Sequence, residues 1–168
     1  MDMLNVLRPR HIVQRYDELY PATLRQQGIR GVMIDLDNTL VPWPSVEIDP
    51  AAKTWVQRLQ SHGIPVCLVT NALHTSRARP IAEELGVPWV KRALKPLGHG
   101  FRRGLRILGT APEETAMIGD QIFTDICGGN LQGLFTVLVQ PLGAQDSVFT
   151  RVTRPVERWL LAGKQAGA

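Results

Sequence analysis

Cysteine is scarce in this chain of 168 residues, and its two copies, Cys67 and Cys127, stand sixty positions apart in no CxxC or His-rich spacing. That excludes a disulfide scaffold, argues against a structural zinc site and fits a reducing compartment. Long hydrophobic runs are lacking too. No stretch approaches the ~18 apolar residues of a spanning helix, and the N-terminal MDMLNVLRPRH reaches Arg8, Pro9 and Arg10 before a signal-like apolar core develops. A soluble, cytoplasmic protein is expected. Charge of one sign is also modest: 19 Lys+Arg against 15 Asp+Glu give a formal +4. That balance permits a phosphate-bearing or membrane-surface partner without demanding one. Several motifs are missing. There is no G-x-x-x-x-G-K-[ST] loop and no G-x-S-x-G elbow, and Gly98, Gly100 and Gly104 have the wrong spacing and context for a dinucleotide fingerprint. His11, His62, His74 and His99 form no metal spacing.

What is present is ordinary globular composition, 44% hydrophobic and 20% charged, in a length that makes one domain over residues 1–168. Short apolar runs alternate with longer amphipathic stretches, the βαβ pattern. Strands are expected at Gly31–Leu36, Ile64–Val69, Pro88–Val90, Thr115–Ile118 and Leu134–Val139. Helices are expected from Asp49-Pro50 to Gln60, His74–Leu85, Pro96–Leu108, Ile122–Leu131 and Pro155–Ala162. Five such strands imply an α/β fold with a mostly parallel sheet covered on both faces, its strand C-termini along one edge.

That edge gathers the chemistry. The first strand ends Asp35-Leu36-Asp37-Asn38-Thr39-Leu40, and residues two apart in an extended segment point the same way, so Asp35 and Asp37 share a side. Such close carboxylates need a cation or a shared proton. The second strand ends Val69-Thr70-Asn71, a hydroxyl and backbone N–H groups suited to phosphoryl oxygens. Lys95 precedes Pro96 at the expected start of a helix, where its charge and the helix N-terminus would both face an anion. Gly119-Asp120-Gln121 ends the fourth strand, with Thr124-Asp125 one turn on.

DLDNTL at 35–40, VTN at 69–71, Lys95-Pro96 and GDQIFTD at 119–125 resemble the four ordered motifs of the haloacid-dehalogenase (HAD) phosphatase superfamily. RGVMIDLDNTLVPW, GGN at 128–130 with the following LFTVLV, and the PLG…TRVTRPVERWLL tail resemble its YqeG family of subclass IIIA over nearly the whole chain. The resemblance implies a three-layer α/β/α Rossmann-like core and an Mg²⁺-dependent phosphomonoesterase. Asp35 would be the nucleophile that carries an aspartyl-phosphate, and Asp37 the general acid/base. Asp35, Asp120 and the Asp37 backbone carbonyl would hold Mg²⁺. Thr70 and Lys95 would stabilise the transferring phosphoryl group. Asn71, Asn38 and Trp43 would contact phosphate or substrate, with Gly119 and Asp125 in support, Asp125 steadying Lys95 or the metal shell.

Only Val41–Ile48 separates DLDNTL from the next helix, too little for a cap domain. An uncapped site suits a phosphate presented on something larger. In the loop Val41-Pro42-Trp43-Pro44, Trp43 either packs on a substrate or seals the loop. Lys91, Arg92, Lys95, Arg102, Arg103 and Arg106, with Arg8, Arg10 and Arg15, form either a solvated face or an anion-attracting surface around the site. Met3, Leu4, Val6 and Leu7 would allow the N-terminus to lie peripherally on a membrane. The resemblance extends to HAD-type phosphatidylglycerophosphate phosphatases, which makes that lipid the first substrate expected. The competing expectations are an RNA- or ribosome-associated binding module with little turnover, which the intact acids and lysine disfavour, and a phosphotransferase.

Overall fold

The computed structural model describes residues 3–73 and 75–142. The expected helix at Pro155–Ala162, and the tail that contributed to the resemblance, lie outside the described residues. Six strands form one all-parallel sheet: β1 (His11–Val13), β2 (Gly31–Ile34), β3 (Val66–Val69), β4 (Trp89–Val90), β5 (Thr115–Gly119) and β6 (Phe135–Val139), in the order β1-β6-β5-β2-β3-β4. Six helices accompany them among the described residues: α1 (Met3–Val6), α2 (Pro21–Gln26), α3 (Pro50–Ser61), α4 (Thr75–Leu85), α5 (Gly98–Leu108) and α6 (Cys127–Leu131).

Period-two alternation divides the core into two faces. Val32 and Ile34 of β2, Val66 and Leu68 of β3, and Ala116 and Ile118 of β5 pack with Trp55, Val56 and Leu59 of α3 and Ile81 and Leu85 of α4. Met33, Cys67, Val69 and Met117 point to the opposite face, against Phe101 and Leu108 of α5. Both faces being covered is why these strands read as continuous apolar runs. The Cys67 thiol lies inside, where burial pushes it up to about 12.

The five-strand expectation falls short by β1. This strand has three largely exposed residues on the sheet edge, with His11 opposite Val137, and such a segment offers no apolar run to detect. Its neighbours Tyr16, Leu19 and Leu24 are core residues: Tyr16 packs on Trp55 at 5.0 Å, and the Trp55 indole N–H donates to Leu19 O at 3.0 Å. The third expected helix starts at Gly98, not Pro96, because Leu97 is still extended and its N–H closes a turn onto Leu94 O. The 122–131 segment is not one α-helix. Gln121 O accepts from both Asp125 N and Ile126 N, so Ile122–Ile126 forms a widened π turn ahead of α6.

β2 has the later strand β5 on one side and its successor β3 on the other. The chain therefore changes direction at β2, and the crevice beyond the strand ends is the topological switch point at which such sheets bind ligands. Residues 42–49, between the β2 turn and α3, contain no helix or strand, and β3 reaches α4 in five residues.

Candidate active site

Asp35 is the first residue beyond β2, its N–H fixed to Ile118 O of β5 at 2.9 Å. The chain then turns sharply: Asn38 adopts φ +61°, a conformation that asparagine tolerates, and its N–H donates to Val41 O at 2.9 Å. The turn separates the two acids that the sequence placed together. Asp35 is buried and pairs with Lys95 Nζ; Asp37 is partly exposed and pairs with Arg77 Nη1.

Lys95 is 6% exposed and bonds Asp125 as well, Nζ to Oδ1 at 2.6 Å. Burial alone would lower its pKa, but Asp125 and Asp35 outweigh that and hold it charged. The expectation of Lys95 at a helix N-terminus is corrected, since α5 begins three residues later and the ammonium turns inward onto the acids. Asn71 sets that geometry. Its side chain brackets the Lys95 peptide, Oδ1 accepting from Lys95 N at 2.8 Å and Nδ2 donating to Lys95 O at 3.0 Å. Asp125 is held over Gly119 by the π turn, its Oδ2 accepting from Gln121 N at 3.1 Å. A Cβ on Gly119 would lie 2.2 Å from Asp125 Oδ2, so only glycine leaves room there. Asp125 thus stands paired with Lys95.

Asp120 follows β5, is 7% exposed, and accepts from Thr39 Oγ1 at 3.1 Å through Oδ1. Its Oδ2 is buried without a partner. One oxygen each of Asp35, Asp120 and Asp125 lies within 4.8 Å of the others. Burial and the Asp35 and Asp125 charges push Asp120 well above the usual carboxylate range. Burial, opposed by Lys95, brings Asp125 to about 6. Three buried carboxylates face one ammonium, so ionising all three would leave two negative charges uncompensated. An all-oxygen donor set, an orphaned carboxylate oxygen and that excess charge suit a hard divalent cation.

Thr70 is fully buried; its hydroxyl accepts from Ala72 N at 3.0 Å and points to Asp37 Oδ2 at 3.5 Å. Asn38 is 6% exposed, and its Oδ1 accepts from Trp43 N at 2.9 Å, so its side chain holds the loop. Trp43 is 49% exposed and does not seal the loop. A cleft of about 660 Å³ opens over Asp35, Asp37, Asn71 and Lys95, with Pro96, Phe123 and Cys127 giving it an apolar side and Gln121 and Thr124 between.

Arg77 escaped the sequence reading. It occupies the first turn of α4, at the strand-end edge, with a side chain only 15% exposed. Besides Asp37, it donates to Ser45 O at 2.6 Å, Pro42 O at 3.2 Å and Val41 O at 3.4 Å. A cation in the first turn of a helix runs against the helix dipole, and that misplacement was the available signal. Of the basic row on α5, the far end leaves the site. The helix runs away from the site, reaching the start of β2 where Leu108 and Thr110 meet Gly31, and so carries Arg106 off the edge. Leu7 packs on Ile122, Ile126 and Leu138 instead of facing an interface.

A family model for haloacid dehalogenase-like hydrolases matches residues 43–131, covering Thr70, Lys95 and Asp120. The chain belongs to that family. Among its relatives, the "Probable phosphatase YqeG" of Bacillus subtilis is 36% identical over 154 residues, 92% of this chain and 89% of that protein. The chloroplastic/mitochondrial phosphatidylglycerophosphate phosphatase 1 of Arabidopsis thaliana is 29% identical over 83% of this chain, which spans 44% of that protein. The cobalt-bound deoxy-D-mannose-octulosonate 8-phosphate phosphatase of Haemophilus influenzae shares the fold at a TM-score of 0.53, with 15% identity over 81% of this chain and 89% of that one. The expectation of an HAD enzyme, a phosphatase acting on a phosphorylated substrate, stands with these findings. Among the described residues, no helix is long and apolar enough to cross a membrane.

Proposed function

We propose that this HAD hydrolase is an Mg²⁺-dependent phosphomonoesterase that carries the phosphoryl group on Asp35, and that its substrate is a lipid headgroup phosphate, phosphatidylglycerophosphate being the first to test. The observation that carries the mechanism is the division of labour between two carboxylates on one turn. Asp35 is buried against Lys95, while Asp37 faces the cleft with a separate, more exposed partner. Paired acids in unlike environments are how one site supplies both a nucleophile and a proton donor.

In this reading Asp35 attacks phosphorus and the leaving oxygen departs with a proton from Asp37. Asp37 then takes a proton from the water that hydrolyses the aspartyl-phosphate. Lys95 balances charge on the phosphoryl oxygens, and Thr70 orients Asp37 or an oxygen beside it. Asp35, Asp120 and the Asp37 carbonyl would hold the cation, whose chemistry is to neutralise the phosphoryl oxygens and the crowded carboxylates. That a structurally similar phosphatase is described as cobalt-bound supports a metal-using fold.

Support for a lipid phosphate comes from the apolar side of the cleft, Pro96, Phe123 and Cys127, which offers a sugar or nucleoside few polar partners. The absence of a cap between β2 and α3, and the Arabidopsis relative, point the same way. Purified protein should release phosphate from an aryl phosphate with Mg²⁺, and Asp35→Asn should abolish the release. Asp37→Asn should retain a residue of activity, its role being worth ~10²–10⁴-fold. Turnover that survives Asp35→Asn sinks the mechanism. Soluble sugar or nucleotide phosphates turned over far faster than phosphatidylglycerophosphate in mixed micelles would sink the substrate assignment.

A further inference from the structure

Nine large hydrophobic side chains are exposed among the described residues, and five of them, Trp43, Val46, Leu73, Leu94 and Leu97, stand on the three loops that follow β2, β3 and β4. Ile12, Tyr20, Ile107 and Leu131 are scattered elsewhere. The three loops are bonded into one rim. Arg77 ties the start of α4 to Ser45, Arg92 Nε reaches Leu73 O at 3.4 Å, and Asn71 clamps Lys95. Leu73 and Leu97 are each 63% exposed and Leu94 is 53% exposed. Leu94 and Arg92 also adopt φ of +54° and +47°, costly for residues with a Cβ, and strain of this kind persists where the surroundings impose it. Lys91 and Arg92 are both exposed on the rim, while the exposed acids of the same loops are Glu47 and Asp49, Asp49 being paired with Arg15.

We infer that this rim is a docking surface for an anionic lipid bilayer, seating the cleft face-down on the membrane. The inference rests on the lipid-phosphate reading of the same site and deepens it by naming where the membrane binds. Apolar prongs with cations beside them, on a chain of net +4, match a bilayer interface, where side chains enter the acyl boundary and Lys/Arg meet anionic headgroups. The prongs stand on the loops that bring Asp37, Asn71, Lys95 and Pro96 to one side of the cleft, so docking and substrate entry share one geometry. A headgroup phosphate would then reach Asp35 without leaving the membrane, which an uncapped site allows and a capped one would obstruct.

The test is co-sedimentation with phosphatidylcholine vesicles containing or lacking phosphatidylglycerol. Wild type should bind the anionic vesicles, and less as salt rises. Leu73→Gln/Leu94→Asn/Leu97→Gln should bind about tenfold more weakly or worse, while hydrolysing a soluble aryl phosphate like wild type, which certifies its fold. Lys91→Gln/Arg92→Gln should lose the preference for anionic over neutral vesicles. Absence of wild-type binding, or a triple variant that binds as wild type does, overturns the inference. So does a stable dimer or an RNA complex that the same leucine substitutions abolish, since the rim would then have another occupant. Lipid hydrolysis in dispersed micelles without vesicle binding would defeat the docking surface and leave the substrate assignment standing. Vesicle binding without lipid hydrolysis would do the reverse.

Discussion

Arg77 is the sharpest place to test the geometry, because one side chain ties the cleft acid to the loop beside it. Arg77→Ala removes the ion pair to Asp37 and three hydrogen bonds to the carbonyls of Val41, Pro42 and Ser45. The Asp37 side chain is 29% exposed and rehydrates partly, so the charged contact is taken at the low end, ~1.5 kcal/mol. Loop carbonyls freed into water count for ~0.5 kcal/mol each. The total, about 3 kcal/mol, corresponds to a fall in Tm of roughly 6–12 °C for a chain of this size. Activity should fall further than stability explains. Asp37 would lose the group that fixes its direction, and kcat should drop by about 10–100-fold, part of the full value of a proton donor. Arg77→Lys keeps the charge beside Asp37 but cannot fork to three carbonyls, so it should restore much of kcat and little of the Tm. Differential scanning fluorimetry and steady-state hydrolysis of an aryl phosphate at saturating Mg²⁺ read both. A Tm within ~1 °C of wild type together with kcat within about twofold in Arg77→Ala would refute the idea that this pair organises the acid.

Gly119→Ala should cost ~1–3 kcal/mol and most of the activity, because the new Cβ would displace the Asp125 carboxylate and with it Lys95; thermal melts and kcat report the two losses. Lys95→Met should destabilise metal-free protein by ~3–5 kcal/mol at neutral pH by leaving buried carboxylates without their ammonium, and the deficit should shrink at pH 4, measured by urea melts at both pH values. The folded pKa of Asp125, about 6, lies above its ordinary 3.8, and that of Asp120 is also raised. The native state thus holds protons that the unfolded state has released, and these acids make metal-free protein lose stability as pH rises from about 4 through about 6. A bound divalent cation favours the ionised acids, so the Tm gain on adding Mg²⁺ should grow across that window; a gain independent of pH would contradict the acid cluster as its site.

The strand ends were legible in the sequence because burial on both faces turns a central parallel strand into an uninterrupted apolar run, and whatever polar residue ends it stands at the sheet edge. Asp35, Thr70 and Asp120 all follow from that rule. What was not legible depends on how the chain departs from regular structure after the edge. The turn at Asn38 points Asp35 and Asp37 to different partners, although strand alternation puts them on one side. The π turn at Ile122–Ile126 brings Asp125 back over Gly119, which an α-helical reading of the same residues would not do. Both departures change the charge balance of the site. Asp37 is neutralised by Arg77 on an adjoining helix, and Asp125 joins Asp35 and Asp120 around Lys95. The arrangement therefore concentrates the uncompensated charge on the buried triad and spares the acid that faces the cleft. In the proposed mechanism a cation held by Asp35, Asp120 and the Asp37 carbonyl would relieve that charge while leaving the Asp37 carboxylate and Arg77 free to respond to the substrate, so metal binding and proton transfer would fall to separate side-chain ion pairs within one crevice.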